Sequence, residues 1–455
     1  MSMLLSPTLG RLWRISLPLM LTALSANLMF LLDRLILVRY STQAMNAAAV
    51  AGMSCAVFQF GGIAIASIAE VFVGQYNGAK DYEKAAQPVW QMIWFSLSLF
   101  VVFVPIALWL GPYLLPVNLQ KEGLSYFKLI MLFGPLMAVV AALSSFFIGR
   151  GFVKLVTWCT LICNLINAGL NIVLVFGIDG WIQGMGTTGA AISTVFAQMF
   201  QILILGSVFL NKYHREKFKT YNFHFNSQLF LDCLKIGTPS AISHMIEIAA
   251  WAMLFRITAS INSDYITIQT IGNSVLVFFQ FVTAGTEKGV IAIASNLIGA
   301  KKDNLISELF ISGCKLHICF IVAFSIPLIF YPDLVICQFL PGVQDPTTPV
   351  YLDCIAVLKW VWIYFLFDGI VWVLGGILTS GGDTRFIMFM NASAAWVFAI
   401  LPIYIAIHYF HVHSSTAWGI CTMYAAANLI AFSLRYRSNR WKKLALSRST
   451  ASIGS

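Results

Sequence analysis

Apolar residues occur in long runs along this chain, each far longer than the alternating pattern of a half-buried strand. The runs recur from Leu12 to Leu434, and each is close to the roughly 20 residues that an α-helix needs to cross a bilayer. Backbone groups in hydrocarbon must hydrogen-bond within their own segment, so runs of this length predict helices and not barrel strands. The predicted spans are 12–38, 47–73, 87–111, 126–149, 155–178, 187–210, 230–258, 266–294, 309–338, 352–379, 386–410 and 416–436.

The composition agrees with a chain whose surroundings are a lipid bilayer. Hydrophobic residues make up 59% of the chain and charged residues only 10%, whereas a soluble globular chain carries about 25% charged residues. The segment Met1–Arg14 is followed by the first apolar run without a small-residue cleavage site, so we interpret that run as a span and not as a removed signal peptide. The sequence therefore predicts an all-α integral membrane protein.

The basic residues between the predicted spans fall almost entirely on one side of the membrane. That side carries Arg11, Arg14, Lys80, Lys84, Arg150, Lys154, Lys212, Arg215, Lys217, Lys219, Lys301, Lys302, Arg385, Arg437, Arg440, Lys442, Lys443 and Arg448. The other side has only Arg39 and Lys121. The positive-inside rule then predicts a multi-pass protein of the plasma (inner) membrane with both termini cytoplasmic. Topology thus accounts for the net charge of +10, and we expect no nucleic acid partner.

Short motifs recur at one offset of 221 residues, which predicts two related halves. The matched pairs are Pro18 with Pro239, Phe58-Gln59-Phe60 with Phe279-Gln280-Phe281, and Gly78-Ala79-Lys80 with Gly299-Ala300-Lys301. Six spans in each half imply parallel repeats about an axis normal to the membrane, with a cavity at their interface. We predict an N-lobe at 1–210, a cytoplasmic linker at 211–228, a C-lobe at 229–436 and a basic cytoplasmic tail at 437–455.

Carboxylates inside the predicted spans are the first candidates for function. Placing an ionisable side chain at mid-membrane costs on the order of 3 kcal/mol of insertion free energy, so such a residue is a candidate for a functional role. Asp33 lies toward the outer end of the first span. Glu247 lies 12 residues beyond Lys235 in the seventh span, and Asp368 lies well inside the tenth, so a rise of about 1.5 Å per residue places both near mid-depth. These two acids are candidates for a facing carboxylate pair.

Three asparagines of the fifth span, Asn164, Asn167 and Asn171, have the spacing i, i+3 and i+7, which puts their amides on one helix face. The depths of Asn167 and Asn171, and that of Thr194 in the sixth span, match the depth of Asp33. One carboxylate with two amide oxygens and a hydroxyl suits a small hard cation such as Na+, whereas a lone carboxylate suits a proton equally well. The alternative is that these side chains only hydrogen-bond between helices.

Aromatic residues near Asp368 are candidates for a pocket that accepts flat cations. Tyr364 and Phe367 lie within about one helical turn of this carboxylate, and aromatic faces attract organic cations. Interfacial belts explain most other Trp and Tyr residues of a membrane protein. The chain has no GxxxxGK[ST] or HExxH motif, which argues against an ATP-driven pump or a zinc protease. We therefore expect a protein that is not an enzyme and carries no cofactor.

The order and spacing of these motifs resemble the multidrug and toxic compound extrusion (MATE) family, most closely its NorM-like bacterial branch in the MOP flippase superfamily. The resemblance extends over essentially all twelve predicted spans. It is carried by Pro18, Asp33, Gly78-Ala79-Lys80, Asn167, Asn171, Phe176-Gly177, Gly189-Ala190-Ala191-Ile192-Ser193-Thr194, Pro239, Glu247, Asp368, Gly375 and Gly381-Gly382-Asp383-Thr384.

The resemblance implies the MATE/MOP fold, with two six-helix lobes about a pseudo-twofold axis, and a V-shaped antiporter with rocker-switch alternating access. It implies a coupling-cation site built from Asp33, Asn167, Asn171 and Thr194, and a second cation site at Glu247 and Asp368. Some members carry Asp where this chain has Asn171, so the coupling ion stays open between Na+ and H+.

The expected cargo is small organic cations and related amphipathic compounds, with no obligate protein partner. The residues expected to bind this cargo are Asp33, Glu247, Tyr364, Phe367 and Asp368.

Two other functions compete with export of cations. A flippase for lipid-linked oligosaccharides or peptidoglycan precursors, from the same superfamily, would need cationic residues in its cavity to hold pyrophosphate. The predicted spans contain few such residues, namely Arg34, Lys128, Arg256, Lys288, Lys315 and Lys359, whereas acids near mid-depth favour a cationic cargo. An intramembrane enzyme would need a nucleophile or metal constellation, and the sequence shows none above chance.

Overall fold

The computed structural model describes residues 5–178, 180–259, 261, 263–339, 348–410 and 412–444. Within these residues, 12 helical segments are long and apolar enough to cross a membrane. Numbered along the chain, spans 1 to 12 are Leu9–Tyr40, Thr42–Gly78, Tyr82–Leu114, Gln120–Gly149, Val153–Phe176, Thr187–Phe209, Ser227–Thr258, Thr267–Gly299, Asp303–Phe330, Pro349–Ser380, Thr384–Phe410 and Ser415–Arg437. The prediction of twelve helical spans is confirmed.

Most span ends differ by a few residues from their predicted positions, and two of them have a clear local cause. Span 9 was predicted to reach residue 338, but it ends at Phe330, and a separate helix follows at Asp333–Phe339. Pro332 lies between them, and proline disfavours helical conformation in the residue before it and supplies no backbone N–H. Span 5 ends at Phe176 because Gly177 has a φ of 83°, a conformation that glycine adopts readily.

Short elements interrupt or connect several spans. Five-residue π-helical turns lie at Ile106–Leu110 in span 3, Ile326–Phe330 in span 9 and Trp396–Ile400 in span 11. The connecting elements among the described residues include the antiparallel strands Gly177–Ile178 and Ile182–Gln183, the helix Lys212–Phe218 and the 3₁₀ turns Val117–Leu119 and Arg440–Leu444. The sequence did not predict the strand pair, which is too short to leave a periodic pattern.

The repeated motifs adopt the same backbone conformation in the two halves. Lys80 and Lys301 both have positive φ, at 64° and 58°. This left-handed conformation is unfavourable for a residue with a Cβ by roughly 1 kcal/mol or more, so its recurrence in the same motif marks the same strained turn. Gly151 and Gly382, each the second residue after the fourth and the tenth span, also share a positive φ, at 79° and 85°. These pairs support the internal repeat that the sequence predicted.

By contacts, the described chain forms two compact units. We call Leu21–Ala241 with Gly299–Lys301 unit N, and Met1–Met20 with Ile242–Ile298 and Lys302–Ser455 unit C. The start of span 1 therefore belongs to unit C, where Trp13 stacks on Phe320 with 5.6 Å between ring centroids. The start of span 7 belongs to unit N. The predicted lobes differ here, because 1–210 contains the start of span 1 and 229–436 contains the start of span 7. The lobe boundaries stay a prediction.

The predicted linker after span 6 packs against unit N. The indole of Trp90 donates a hydrogen bond to the Thr220 carbonyl at 2.8 Å, and that of Trp94 donates to the Phe223 carbonyl at 3.1 Å. Between them, the Gln91 amide donates to the His224 carbonyl at 2.9 Å. Three side chains of span 3 thus fix the backbone of the predicted linker.

Helix Lys212–Phe218 covers a buried arginine at the end of span 4. The Arg150 guanidinium lies 4.5 Å from the Phe146 ring centroid and 3.8 Å from that of Phe218. Its Nη1 lies 3.2 Å from His214 Nε2, while His214 Nδ1 lies 2.7 Å from the Val208 carbonyl. His214 therefore donates through Nδ1 and accepts through Nε2. Burial lowers the pKa of His214, and the charge of Arg150 lowers it further.

We expect the packing of helix Lys212–Phe218 over Arg150 to become less stable at acidic pH. Because the folded state depresses the pKa of His214, the stability that it contributes is present above about pH 6.5, the pKa of a free histidine, and falls as the pH drops below that value. Hydrogen exchange of residues 212–218, corrected for intrinsic rates, should be faster at about pH 5.5 than at about pH 7.5.

The His214→Gln variant should lose this acid sensitivity, since glutamine does not titrate. His224→Gln is the matched control, because His224 is exposed on the same connection. Equal acid sensitivity in wild type and in His214→Gln would contradict the assignment.

Candidate functional site

Unit N brings together all four residues of the predicted coupling-cation site. Asn171 Nδ2 donates a hydrogen bond to Asp33 Oδ1 at 2.6 Å, joining span 5 to span 1. Asn167 Nδ2 donates to Thr194 Oγ1 at 3.3 Å, joining span 5 to span 6. Thr194 in turn donates to the Ala190 carbonyl at 3.0 Å, so its oxygen is free to accept from Asn167. The four side chains occupy one polar region between three helices.

Two amide oxygens of this region are buried without a donor. Asn167 and Asn171 are 4% and 0% exposed. Their Oδ1 atoms have no hydrogen-bond partner among the residues that the structure describes. A buried polar atom left unsatisfied costs about 1–3 kcal/mol. The carboxylate of Asp33 accepts only, so it fixes the orientation of the Asn171 amide and leaves that amide oxygen unpaired.

Nearby polar pairs show what a purely structural contact looks like. Asn164 Nδ2 donates to Ser25 Oγ at 2.7 Å, and Thr22 donates to Thr157 at 3.0 Å. Asn164 is only half-buried, whereas Asn167 and Asn171 are buried. The alternative of hydrogen bonding between helices therefore describes Asn164 well. It leaves the two orphan oxygens beside Asp33 unexplained.

Glycine lets the helices that carry this region approach each other closely. A Cβ at Gly189 of span 6 would lie 2.5 Å from the Leu174 carbonyl oxygen and 3.0 Å from the Leu174 Cβ on span 5. Any larger residue would push the two helices apart. This contact lies between Asn171 and the end of span 5, so it sets the distance across which Asn167 reaches Thr194.

The sequence missed one residue of this region. Tyr126 of span 4 is close enough to Asp33 and Arg34 to interact electrostatically with both. It also packs on the buried cluster that contains Leu37 and Val175. A tyrosine in a membrane span is common enough that no sequence pattern separates Tyr126 from the others.

Unit C brings the predicted acids Glu247 and Asp368 into one electrostatic cluster. The two carboxyl groups interact with each other, and Glu287 acts on Asp368 as well. Trp372 Nε1 donates to Asp368 Oδ2 at 2.9 Å, which is the i, i+4 contact of one helix. The Trp251 indole donates to Glu247, and His244 Nδ1 lies 3.9 Å from Glu247 Oε2. The acids are thus held by indole donors.

Aromatic rings line this cluster, although only one of the two predicted rings is placed in it. Tyr364 is 3% exposed, interacts with Glu247 and Asp368, and meets Trp251 edge-on at 6.3 Å between centroids. Phe367 is half-buried on the same helix. Its predicted role in cargo binding stays a prediction.

Span 12 supplies residues that the sequence did not single out. Tyr424 interacts with Glu247 and Asp368 and is hydrogen-bonded to Asn428. These two residues are one turn apart, which a search for polar pairs at i, i+4 would have found. The Trp418 ring lies 6.0 Å from that of Trp251. The predicted acid pair therefore has an aromatic and phenolic wall from spans 7, 10 and 12.

Twelve spans that carry half-buried carboxylates, at Asp33, Glu247 and Asp368, define the class of protein. Charges held inside a helical membrane protein mark ion or substrate pathways, so the chain is a membrane transporter by architecture. The sequence profile of the MatE family matches residues 18–173 and 239–405, more than half of the chain. The chain therefore belongs to the MatE (MATE) family, and the resemblance predicted from its motifs is confirmed.

Curated relatives agree with this membership. The chain is 21% identical over 395 residues to the probable multidrug resistance protein YoeA of Bacillus subtilis (strain 168), covering 85% of this chain and 84% of that protein. It is 23% identical over 339 residues to a probable multidrug resistance protein NorM of Acinetobacter baylyi, covering 72% and 73%.

Solved structures show the same fold. The eukaryotic MATE transporter AtDTX14 matches with a TM-score of 0.82 at 18% identity, over 96% of this chain and 98% of that one. A MATE structure in complex with MaD3S matches with a TM-score of 0.86 at 15% identity, over 97% and 98%. The predicted MATE/MOP fold is confirmed.

We expect Gly189→Ala to disturb the cation region. The added methyl group meets the Leu174 carbonyl, and overpacking of this kind costs about 1–3 kcal/mol. Gly169→Ala is the matched control, since a Cβ there has nothing within 4 Å. In purified protein, Gly189→Ala should lower the melting temperature and weaken cation binding, while Gly169→Ala should do neither. Equal behaviour of the two variants would contradict the close contact as the cause.

Proposed function

We propose that this MATE transporter is an antiporter, which exports small organic cations in exchange for Na+ or H+ by rocker-switch alternating access. The observation that carries the proposal is the pair of unpaired amide oxygens of Asn167 and Asn171 beside the carboxylate of Asp33. Two buried amide oxygens without a donor, together with a carboxylate that accepts from Asn171, form a site that is short of positive charge. The basic loops support a location in the inner membrane with both termini in the cytoplasm.

The chemistry of the oxygen set favours Na+ as the coupling ion. A proton bound to Asp33 would neutralise the carboxylate but would leave the Asn167 oxygen without a partner. A sodium ion accepts several oxygen ligands at once, and carboxylate, amide and hydroxyl oxygens suit hard cations. Asp33, Asn167, Asn171 and Thr194 would hold that ion. The same residues bind only one proton, at Asp33.

The cluster around Asp368 suits an organic cation. Glu247, Asp368 and Glu287 interact there, and the rings of Tyr364, Trp251 and Trp418 lie against one another beside them. A lipophilic cation gains from the carboxylates by Coulomb attraction in a low dielectric and from the rings by cation–π contact.

Exchange follows from competition for negative charge. With the carboxylates unneutralised, a cationic drug is attracted into the open transporter. Entry of Na+ or H+ from the other side neutralises them, which lowers the affinity for the drug and shifts the conformational equilibrium toward its release. The residues of unit N serve the coupling ion, and those of unit C serve the cargo.

The flippase alternative finds no support in the charges near Asp368. A pyrophosphate group would need Lys or Arg, but the charged groups that act on Asp368 are the acids Glu247 and Glu287. Five span cations, Arg34, Lys128, Arg256, Lys315 and Lys359, have exposed side chains.

We expect Asp33→Asn to abolish coupled transport. In inverted vesicles that contain equal amounts of each variant, wild type should move a fluorescent organic cation when an Na+ gradient is imposed, and Asp33→Asn should not. A pH gradient imposed separately identifies proton coupling. Wild-type transport that responds to neither gradient would overturn the antiporter proposal.

The identity of the coupling ion can be read from Asn167→Leu in the same assay. Loss of an amide ligand should raise the half-saturating Na+ concentration by roughly tenfold or more, whereas a proton-coupled carrier would keep its pH dependence. Asn164→Leu is the matched control on the same helix, because that amide serves Ser25.

The cargo site is tested by Glu247→Gln and Asp368→Asn. Removing one carboxylate should raise the KM for a monovalent organic cation by about tenfold, which corresponds to about 1.4 kcal/mol. A neutral amphipathic substrate should be less affected. Glu216→Gln, an exposed carboxylate outside the spans, should leave the KM unchanged. If the KM is unchanged in all three variants, Glu247 and Asp368 do not bind the cargo.

A further inference from the structure

A buried histidine of span 9 lies against the backbone of span 10 beside Asp368. His317 is 1% exposed, and its Nε2 lies 2.8 Å from the Phe365 carbonyl oxygen. A carbonyl accepts only, so the Nε2–H donates to it. The proposed function assigns no role to this histidine, and the sequence did not single it out.

Gly369 forms the other side of the same contact. A Cβ at this position would overlap the imidazole ring of His317, at Cε1, Nε2 and Nδ1 together. The ring therefore lies flat on the helix backbone in the space that any other residue would fill with its own side chain. Phe365 and Gly369 are one helical turn apart, and Asp368 lies between them.

The two ring nitrogens of His317 differ in their surroundings. Nδ1 is buried and has no hydrogen-bond partner among the residues that the structure describes. The carbonyls of Phe365 and Leu366 both act on the ring, so the ring serves as a donor to one turn of span 10. A phenylalanine would fill the same space without an unpaired nitrogen.

We propose that His317 is a positioning residue for Asp368, which acts by fixing the turn of span 10 that carries this carboxylate. The hydrogen bond to Phe365 and the contact on Gly369 hold that turn on both sides of Asp368, while Trp372 orients the carboxylate itself. A binding group must be held to within about 0.5 Å of its productive geometry. The inference rests on the proposed function, because Asp368 is assigned there to the cargo.

The test compares two variants of His317, one that keeps a hydrogen-bond donor and one that keeps only the volume of the ring. His317→Gln keeps an N–H donor near Nε2, and His317→Phe fills the space without a donor. We expect His317→Gln to keep the KM for a monovalent organic cation within about twofold of wild type and His317→Phe to raise it about tenfold. A merely structural histidine would move the melting temperature and leave the KM alone. Equal KM values for the two variants would overturn the proposal.

The glycine gives a second, independent arm. Gly369→Ala should raise the KM as His317→Phe does, since its methyl group displaces the ring. Gly206→Ala in span 6 is the control, because a Cβ there has nothing within 4 Å. Adding His317→Ala to Gly369→Ala should restore the melting temperature but not the KM. If Gly369→Ala behaves like Gly206→Ala, the contact has no positioning role.

Nitrogen-15 spectra of the histidine rings separate this inference from the proposed function. At about pH 7, the signal that disappears in His317→Gln should be that of a neutral ring with its proton on Nε2, and Gly369→Ala should shift it. A wild type that transports no organic cation but gives this signal would refute the proposed function and leave the contact intact. A signal from an Nδ1–H or charged ring would overturn the inference itself.

Discussion

Every polar atom inside the spans of this protein must find its partner within the protein, because hydrocarbon offers none. Most of the described polar side chains meet that requirement through short contacts between helices, as Asn164 does with Ser25 and Thr22 does with Thr157. The oxygens of Asn167 and Asn171 belong to the smaller set of buried atoms that have no partner in the described chain. Their position beside Asp33 gives the exception a chemical meaning, since a cation is the ligand that satisfies oxygens of this kind.

Small residues determine where the polar groups can meet. Gly189 brings spans 5 and 6 together next to the cation region, and Gly369 admits the ring of His317 beside Asp368. At both places another group packs directly against the helix backbone. This close contact fixes the position of a carboxylate or an amide on the neighbouring turn. Membrane helices generally use small residues in this way, because close backbone approach supplies the packing that water would otherwise drive.

The two halves share a framework but differ in the chemistry that each carries. The turns at Lys80 and Lys301 have the same unusual backbone conformation, as expected of a repeat. Unit N nevertheless places amides next to Asp33, whereas unit C places indole and phenol groups next to Asp368. Under the proposed function, this difference assigns the small hard ion to one unit and the larger, flatter cation to the other.

The sequence by itself determined the twelve spans, because burial in lipid forces length and apolarity on every one of them, and the helical period put Asn167 and Asn171 on one face. Counting residues along a helix of fixed rise also predicted the depths of Asp33, Glu247 and Asp368. Only the tertiary structure decided which amide bonds Asp33. It alone brought Tyr126 and Tyr424 to the acids and His317 to the turn that carries Asp368. Contacts between helices depend on their rotation and approach, which no periodicity within a single helix records.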